Sequence, residues 1–261
     1  MPEVSKTVGQ ALRVLIALGQ GPASIATLAR QLGLHRTVLQ RLLVTLQADG
    51  FVHRLDDGAY ALGMTLVELA ARVDNPVRRA AQRPMLALFE QVGETVALTV
   101  REGDDAVSAD QLVVPDRLVR AEYPTGFRHS LAVAAAGRAI LAFADPATVQ
   151  RLCRQVADEA ALLAQLAEIR RLGYACTSDE LGHGASGLAA PILDASGRAV
   201  ASVGIVAPSD RFPAAPAVAG PIMVAAAQAS AALAGAAVSS VAAPAPGAAG
   251  AGRPAGTVPR R

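Results

Sequence analysis

Apolar residues recur at helical spacing through the first fifty positions and at alternating spacing in several stretches beyond position 95, which separates a helical front from a mixed remainder. Ala11, Leu12, Val14, Leu15 and Leu18 predict a first apolar helix. Ile25, Leu28, Ala29 and Leu32 fall at i, i+3, i+4 and i+7, one face of a second helix, with Ser24 placed to cap its first turn. A Gly33-Leu34 turn leads into a basic amphipathic helix from about His35 to Asp49, with Leu39, Leu42, Leu43 and Leu46 as its buried stripe. A hairpin from Phe51 to Leu62 around Asp57-Gly58 follows. That order of elements is the pattern of a winged helix-turn-helix.

Residues 64–75 read as a helix ending at Asn75-Pro76, because the residue before a proline avoids helical geometry. A helix from Val77 to Gly93 carries Met85, Leu86, Leu88, Phe89 and Val92 on its apolar side. Thr95 to Arg101 and Ala106 to Val113 read as strands joined by the turn Glu102-Gly103-Asp104-Asp105, and Leu118 to Tyr123 reads as a third strand. A small-residue helix (Ala132 to Ala144) and helices around Ala147 to Val156 and Ala160 to Arg171 come next, the last stopped by Gly173. Strands Gly187 to Leu193 and Arg198 to Val206 flank the turn at 194–197, and an Ala-rich helix runs from about Ala217 to Ala236. The second domain is therefore α+β, with helices packed on an antiparallel sheet. The divisions are 1–63 for the winged helix-turn-helix, 64–76 for a linker helix, 77–238 for the second domain, and 239–261 for an Ala/Pro/Gly tail expected to be disordered.

The buried stripe of the third helix turns Arg36, Thr37, Gln40, Arg41 and Val44 outward. Arg to guanine, Gln to adenine, and Thr or Val to a thymine methyl are pairings that major-groove geometry allows. The candidate DNA-binding set is Ser24, Arg36, Thr37, Val38, Gln40, Arg41 and Arg54. Arg54 and His53 on the hairpin are placed to follow the phosphate backbone, whereas Asp56 and Asp57 would repel it. The expected partner is double-stranded DNA.

The 261 residues, 52% of them hydrophobic, suit two modest domains. A net charge of +2 does not by itself announce a nucleic-acid binder. The 24 basic side chains are all arginine except Lys6, which suits phosphate and guanine recognition but also follows from a GC-rich genome. No uncharged apolar stretch of about 18 residues is expected in the ordered part, and the start of the chain does not read as a secretory signal, so the expectation is a cytoplasmic protein without a membrane partner. Cys153 and Cys176 fit neither a disulfide framework nor a zinc site and are expected to be buried thiols; no metal or cofactor is expected. Cys176, His183 and Glu180 lie close in sequence, but their spacing matches no catalytic signature, and Gly182-His-Gly-Ala-Ser-Gly lacks the ending of a phosphate loop. No catalytic residue is assigned. The alternative is a cytosolic small-molecule-binding or hydrolytic enzyme carrying a DNA-binding appendage.

Several runs resemble the IclR family of bacterial transcriptional regulators. They are Gln10-Ala-Leu-Arg-Val-Leu, the stretch from Leu28-Ala-Arg-Gln-Leu-Gly-Leu-His-Arg-Thr to Leu46, Gly58-Ala-Tyr-Ala-Leu-Gly, Gly93-Glu-Thr-Val, Gly137-Arg-Ala-Ile-Leu-Ala, Ile169-Arg-Arg-Leu-Gly-Tyr-Ala, Asp179-Glu180 and Ala189-Ala-Pro-Ile. The likeness spans about residues 5 to 238. It implies a winged helix that dimerises on a palindromic operator, a linker helix, and a GAF-like domain that binds a small-molecule effector, in a homodimer or homotetramer.

The candidate effector-binding set is Gly126, Ala132, Ala134, Ala135, Thr177, Gly187, Gly204 and Val206. Against the family pattern, Ala132 and Ala134 replace a His and a Thr, Thr177 replaces an acidic residue, Gly187 a Cys or Ser, and Gly204 and Val206 two serines. Loss of these polar groups predicts a larger, more apolar pocket and an effector more hydrophobic or aromatic than short keto acids, or else a regulator that has lost ligand control. Backbone amides around Ala132 to Ala136 remain a candidate carboxylate site.

Overall fold

The computed structural model describes residues 4–242 except 74, 116 and 118, with side-chain surroundings described through residue 236. It divides into two compact units, Met1–Asp74 and Asn75–Arg261. The expected disordered tail lies outside the described residues from position 243 onward.

In the first unit, α1 (Lys6–Leu18), α2 (Ile25–Leu32) and α3 (Arg36–Ala48) precede a hairpin of β1 (Val52–Arg54) and β2 (Tyr60–Leu62), then α4 (Thr65–Ala71). The Ser24 hydroxyl accepts the Thr27 amide at 3.2 Å and so starts α2, and Gly33 ends it at φ 64°, where a side chain would be strained. Val14, Leu18, Leu28, Leu39, Leu43, Val52 and Tyr60 form one buried core. Ala23 and Tyr60 exchange backbone hydrogen bonds, which ties the wing to the entrance of α2. The helix predicted over 64–75 stops at Ala71. Asn75 and Pro76 instead begin the next helix: Asn75 Oδ1 accepts the Arg78 amide at 3.1 Å, and proline suits the first helical position because no partner is lost with its missing N–H.

The second unit holds a six-stranded antiparallel sheet in the order β5-β4-β3-β8-β7-β6. Its strands are β3 (Thr95–Glu102), β4 (Asp105–Leu112), β5 (Arg128–Ser130), β6 (Ala175–Ser178), β7 (Ala185–Leu193) and β8 (Ala199–Pro208). Helices α5 (Pro76–Val92) and α9 (Ala215–Ala242) share a core with one face through Met85, Leu88, Val96, Leu98, Val203 and Ile222. Helices α6 (Ala134–Leu141), α7 (Pro146–Cys153) and α8 (Glu159–Leu172) build a second core through Leu131, Ile140, Leu152 and Leu166. Leu86, expected on the buried side of α5, is half exposed.

Three expectations need correction. The strand predicted at Leu118 to Tyr123 is absent from its described positions, and β5 lies downstream of it. Leu118 itself is not among the described residues. The edge of β4 is taken by β5, which pairs Arg128 with Val107 and Ser130 with Asp105, so the described residues just before it run as a loop. β6 was not anticipated, because four residues carry too little alternation to stand out. Finally, Ala215–Ala236 is long and apolar enough by length and composition to cross a membrane, at a mean hydropathy of 1.6, contrary to the expected absence of such a run. Val218, Ile222, Ala225, Ala226 and Ala229 of this helix are buried in the α5 and sheet core, the ordinary setting for an apolar helix.

Candidate functional site

The outward side of α3 carries Arg36, Thr37, Gln40 and Arg41, all exposed, and the side chains of Arg36, Gln40 and Arg41 have no hydrogen-bond or ion-pair partner among the described residues. Leu39, Leu42 and Leu43 anchor the opposite side. Helical geometry thus presents four polar side chains of the right chemistry as a free row. Val38 departs from its expected place: it is half-buried and packs on the core, whereas Val44 is 58% exposed. Ser24 spends its hydroxyl on the cap and on a 3.1 Å contact with Thr27. Arg54 is exposed at the end of β1, with its guanidinium against Gly58 of the turn. Asp57 stabilises that turn by accepting the Ala59 amide at 2.9 Å.

In the second unit a cavity of about 650 Å3, mouth included, lies between the sheet, the start of α6 and the loop before β5. Six of the candidate effector residues line it: Ala134, Ala135, Thr177, Gly187, Gly204 and Val206. Gly126 and Ala132 do not. The Gly126 amide is bonded to the Ser108 carbonyl at 2.7 Å, which shapes the loop, and Ala132 is buried in the α6–α8 core, with its carbonyl accepting Arg138 Nε at 3.0 Å. Residues that sequence reasoning had not assigned complete the wall: Thr99, Ser108, Tyr123, Phe127, Ser186 and Leu181. Tyr123 and Phe127 stack with ring centroids 5.0 Å apart. Tyr123 ends the stretch whose alternation reads as a strand, and both rings reach the cavity from a loop instead, so the periodic signal did not mark them as lining residues. His129 sits on β5 and lines the cavity; burial pushes its imidazole below the ordinary value.

The polar groups at the start of α6 are already engaged. Thr177 Oγ1 accepts the Ala135 amide at 2.9 Å, and Glu180 Oε2 accepts the Ala134 amide at 2.9 Å. Arg138 Nη1 donates to Glu180 Oε1 at 2.7 Å. The candidate carboxylate site is therefore occupied by a carboxylate of the chain itself.

The described part of the loop between 113 and 127 is held at Glu94, which is 7% exposed and accepts from the guanidinium groups of Arg117 and Arg211; Arg211 Nη2 also donates to the Val119 carbonyl at 2.8 Å. Ser108 Oγ donates to the Tyr123 carbonyl at 3.3 Å.

No grouping of three or more His, Cys, Asp or Glu able to hold a metal occurs among the described residues. Cys153 is buried as expected, but Cys176 is exposed on β6. Desolvation pushes the Cys176 thiol above its ordinary value, the opposite of an activated nucleophile, and Glu180 is committed to Ala134 and Arg138.

Two family descriptions match the chain: the IclR helix-turn-helix domain over residues 7–56, and the bacterial transcriptional regulator IclR C-terminal domain over residues 70–231. The chain is 32% identical over 213 residues to the HTH-type transcriptional regulator BhcR of Paracoccus denitrificans, which covers 76% of this chain and 75% of that one. The crystal structure of an IclR transcriptional regulator from Alicyclobacillus acidocaldarius superposes with a TM-score of 0.79 at 26% identity, over 88% of this chain and all of that one. An IclR homologue from Microbacterium hydrocarbonoxydans, crystallised with 4-hydroxybenzoate, shares the fold at a TM-score of 0.76 and 22% identity, over 87% and 99% of the two chains. These relatives give the enzyme alternative no support. With a winged helix whose third helix presents an exposed polar face and an α+β unit enclosing a cavity, the chain belongs to the IclR family of DNA-binding transcriptional regulators.

Proposed function

We propose that this regulator reads a palindromic operator through α3, with Arg36, Thr37, Gln40 and Arg41 at base edges and Arg54 on the backbone. In this reading an effector in the Tyr123–Phe127 cavity changes operator affinity. The observation that carries the DNA assignment is the free polar row of α3 opposite the buried Leu39, Leu42 and Leu43. The half-buried position of Val38 removes it from this base-reading set.

A second copy is part of the proposal. Val8, Leu12 and Ile16 are 57%, 54% and 70% exposed and lie four residues apart along α1, an apolar stripe that a partner helix would cover. Two such units on a palindrome add their contacts through shared attachment. The protein works in the cytoplasm, where its DNA is.

The effector is expected to carry a ring, because stacked aromatics and small apolar side chains make up much of the wall. That an IclR homologue from Microbacterium hydrocarbonoxydans was crystallised with 4-hydroxybenzoate supports this reading.

Fluorescence anisotropy against duplexes tiling the upstream region of its own gene, with a shuffled control, tests the reading. Tight binding to one tile supports it. Uniform weak binding, of the order of 10⁻⁴ to 10⁻⁶ M near physiological salt, at every tile and at other candidate promoters would sink it.

A further inference from the structure

We propose that the effector carries a hydroxyl group on its ring and that His129 selects for it, accepting the hydroxyl proton at Nε2 inside the cavity. This rests on the reading of the cavity as the effector site.

The sheet register sets the polar wall. Thr99 of β3 stands opposite Ser108 of β4, and His129 of β5 stands opposite Ala106, two residues before Ser108. Directly opposed residues share a face, and so do alternate residues of one strand, so Thr99, Ser108 and His129 lie together on the face that borders the cavity. Phe127 sits between two other rings: its centroid lies 5.0 Å from that of Tyr123 and 6.1 Å from that of His129, the second pair tilted by 44°. A ring packed against Phe127 has the His129 imidazole beside it.

Most polar groups of the wall are already spent. Ser108 Oγ donates to the Tyr123 carbonyl, Ser186 Oγ is bonded to Ser178 and Ser209, and Thr177 and Glu180 accept the amides of Ala135 and Ala134. The side-chain groups left without a partner among the described lining residues are Thr99 Oγ1, the Tyr123 hydroxyl and His129 Nε2. None of these is sealed in, since no fully buried side-chain nitrogen or oxygen lacks a partner among the described residues. Thr99 is only 6% exposed, so the space that its hydroxyl reaches is the cavity.

The two hydroxyls can donate or accept, but Nε2 can only accept. His129 Nδ1 lies 3.0 Å from the Ser130 carbonyl, an oxygen with no proton to give, so Nδ1 carries the ring proton. Burial holds the ring toward its neutral form against the Ser130 and Val133 carbonyls and Asp105, which favour the charged one. The neutral ring then presents a bare lone pair at Nε2. A ligand hydroxyl satisfies it, whereas a fluorine or methyl group in the same place leaves it dry and unpaired, and that difference is the selection. The Ala136 amide at the start of α6 also borders the cavity and is taken by neither Thr177 nor Glu180. A carboxylate or carbonyl elsewhere on the ring can meet it, so hydroxyl selection holds for acidic and neutral rings alike.

The test is calorimetric titration of the full chain with two matched pairs of probes, p-cresol against 4-fluorotoluene and 4-hydroxybenzoate against 4-fluorobenzoate, in the parent, His129→Phe and His129→Leu. Fluorine is close to a hydroxyl in size and has no proton to donate. In the parent the hydroxyl member is expected to bind at least about tenfold more tightly in any pair that binds. His129→Phe keeps a ring in place and removes the lone pair, and the ratio is expected to fall to within about threefold of unity. His129→Leu removes the lone pair with less bulk and serves if the phenylalanine variant does not fold. A parent ratio near unity, or a ratio unchanged in the folded variants, overturns the inference and leaves the effector site standing. Failure of all four probes to bind a parent that still holds its operator removes both.

Discussion

Gly204 of β8 lies so close to Leu188 of β7 that a Cβ on Gly204 would stand 2.1 Å from the Leu188 carbonyl oxygen. The glycine that replaces a serine in the family pattern therefore marks a place where two strands close together, and no widened pocket results there. Gly187 differs: a Cβ there would meet the Ile205 carbonyl at 3.5 Å and the Ala135 methyl at 3.7 Å, both ordinary contacts.

From this contrast, Gly204→Ser is expected to cost at least about 1–3 kcal/mol through strand displacement, while Gly187→Ser folds with nearly parental stability. Gly187→Ser should instead weaken ring binding, because the new side chain occupies cavity space beside Ala135. Thermal melts of both variants, with and without p-cresol, check this. Equal melting temperatures for the two would refute it.

Arg36→Ala, Gln40→Ala and Arg41→Ala are each expected to weaken specific operator binding by about 1–3 kcal/mol and leave the melting temperature unchanged. Val38→Ala should do the reverse and lower stability, since Val38 packs on the first core. Anisotropy and melting curves on the four variants separate reader from core residue.

Leu12→Arg and Ile16→Arg place a charge on the exposed stripe of α1 without touching the buried core. Analytical ultracentrifugation should show weaker self-association in both, together with loss of the affinity advantage that a full palindrome has over a half-site. Unchanged sedimentation in both variants would assign the stripe no part in the assembly.

Glu94→Gln removes the carboxylate that holds Arg117 and Arg211. Backbone hydrogen exchange is expected to rise in the described part of the loop between 117 and 127, and binding of ring probes to fall, because Tyr123 and Phe127 are carried by that loop. Exchange identical to the parent would show that the bonds from Ser108 and Arg211 to the loop backbone suffice to hold it.

Asp145 caps α7, accepting the Thr148 amide at 2.9 Å and its hydroxyl at 2.8 Å, with Arg101 Nη2 at 3.4 Å. The two Thr148 bonds, with a smaller part from Arg101, lower its carboxyl from 3.8 to about 2. A folded value below the unfolded one means that the contribution to stability is fully present above pH 3.8 and is lost as pH falls toward 2. Asp145→Asn should therefore melt below the parent by a constant margin near neutrality, and the margin should close as pH drops from about 4 to 2. A margin independent of pH would show that the cap acts by shape alone.

Much of the architecture was legible because its determinants are local. A stripe at 3.6-residue spacing, a Ser24 cap, a Gly33 stop, or the turn between β3 and β4 involves neighbours within a few residues, and α1 to α3, the wing hairpin, and β3 and β4 lie close to where such signals put them. Local signals misled where a local cue had more than one solution. Asn75-Pro76 ends one helix or begins another equally well by sequence, and the alternation at 118–123 found no free sheet edge.

By itself the sequence determined which segments are helical, which face of α3 is polar, and the kinship of the whole, all properties carried by spacing along the chain. The tertiary structure decided what the cavity is. Glu180 meets Ala134 across 46 residues and Thr177 meets Ala135 across 42, so the plug at the start of α6 exists only once β6 and α6 are packed together. Tyr123 and Phe127 become a wall through bonds made across the chain, from Ser108 to the Tyr123 carbonyl and from Arg211 to Glu94 and the Val119 carbonyl. Contacts of that separation leave no period in the chain, since they are set by which surfaces must be buried together and which polar groups must be paired once they are.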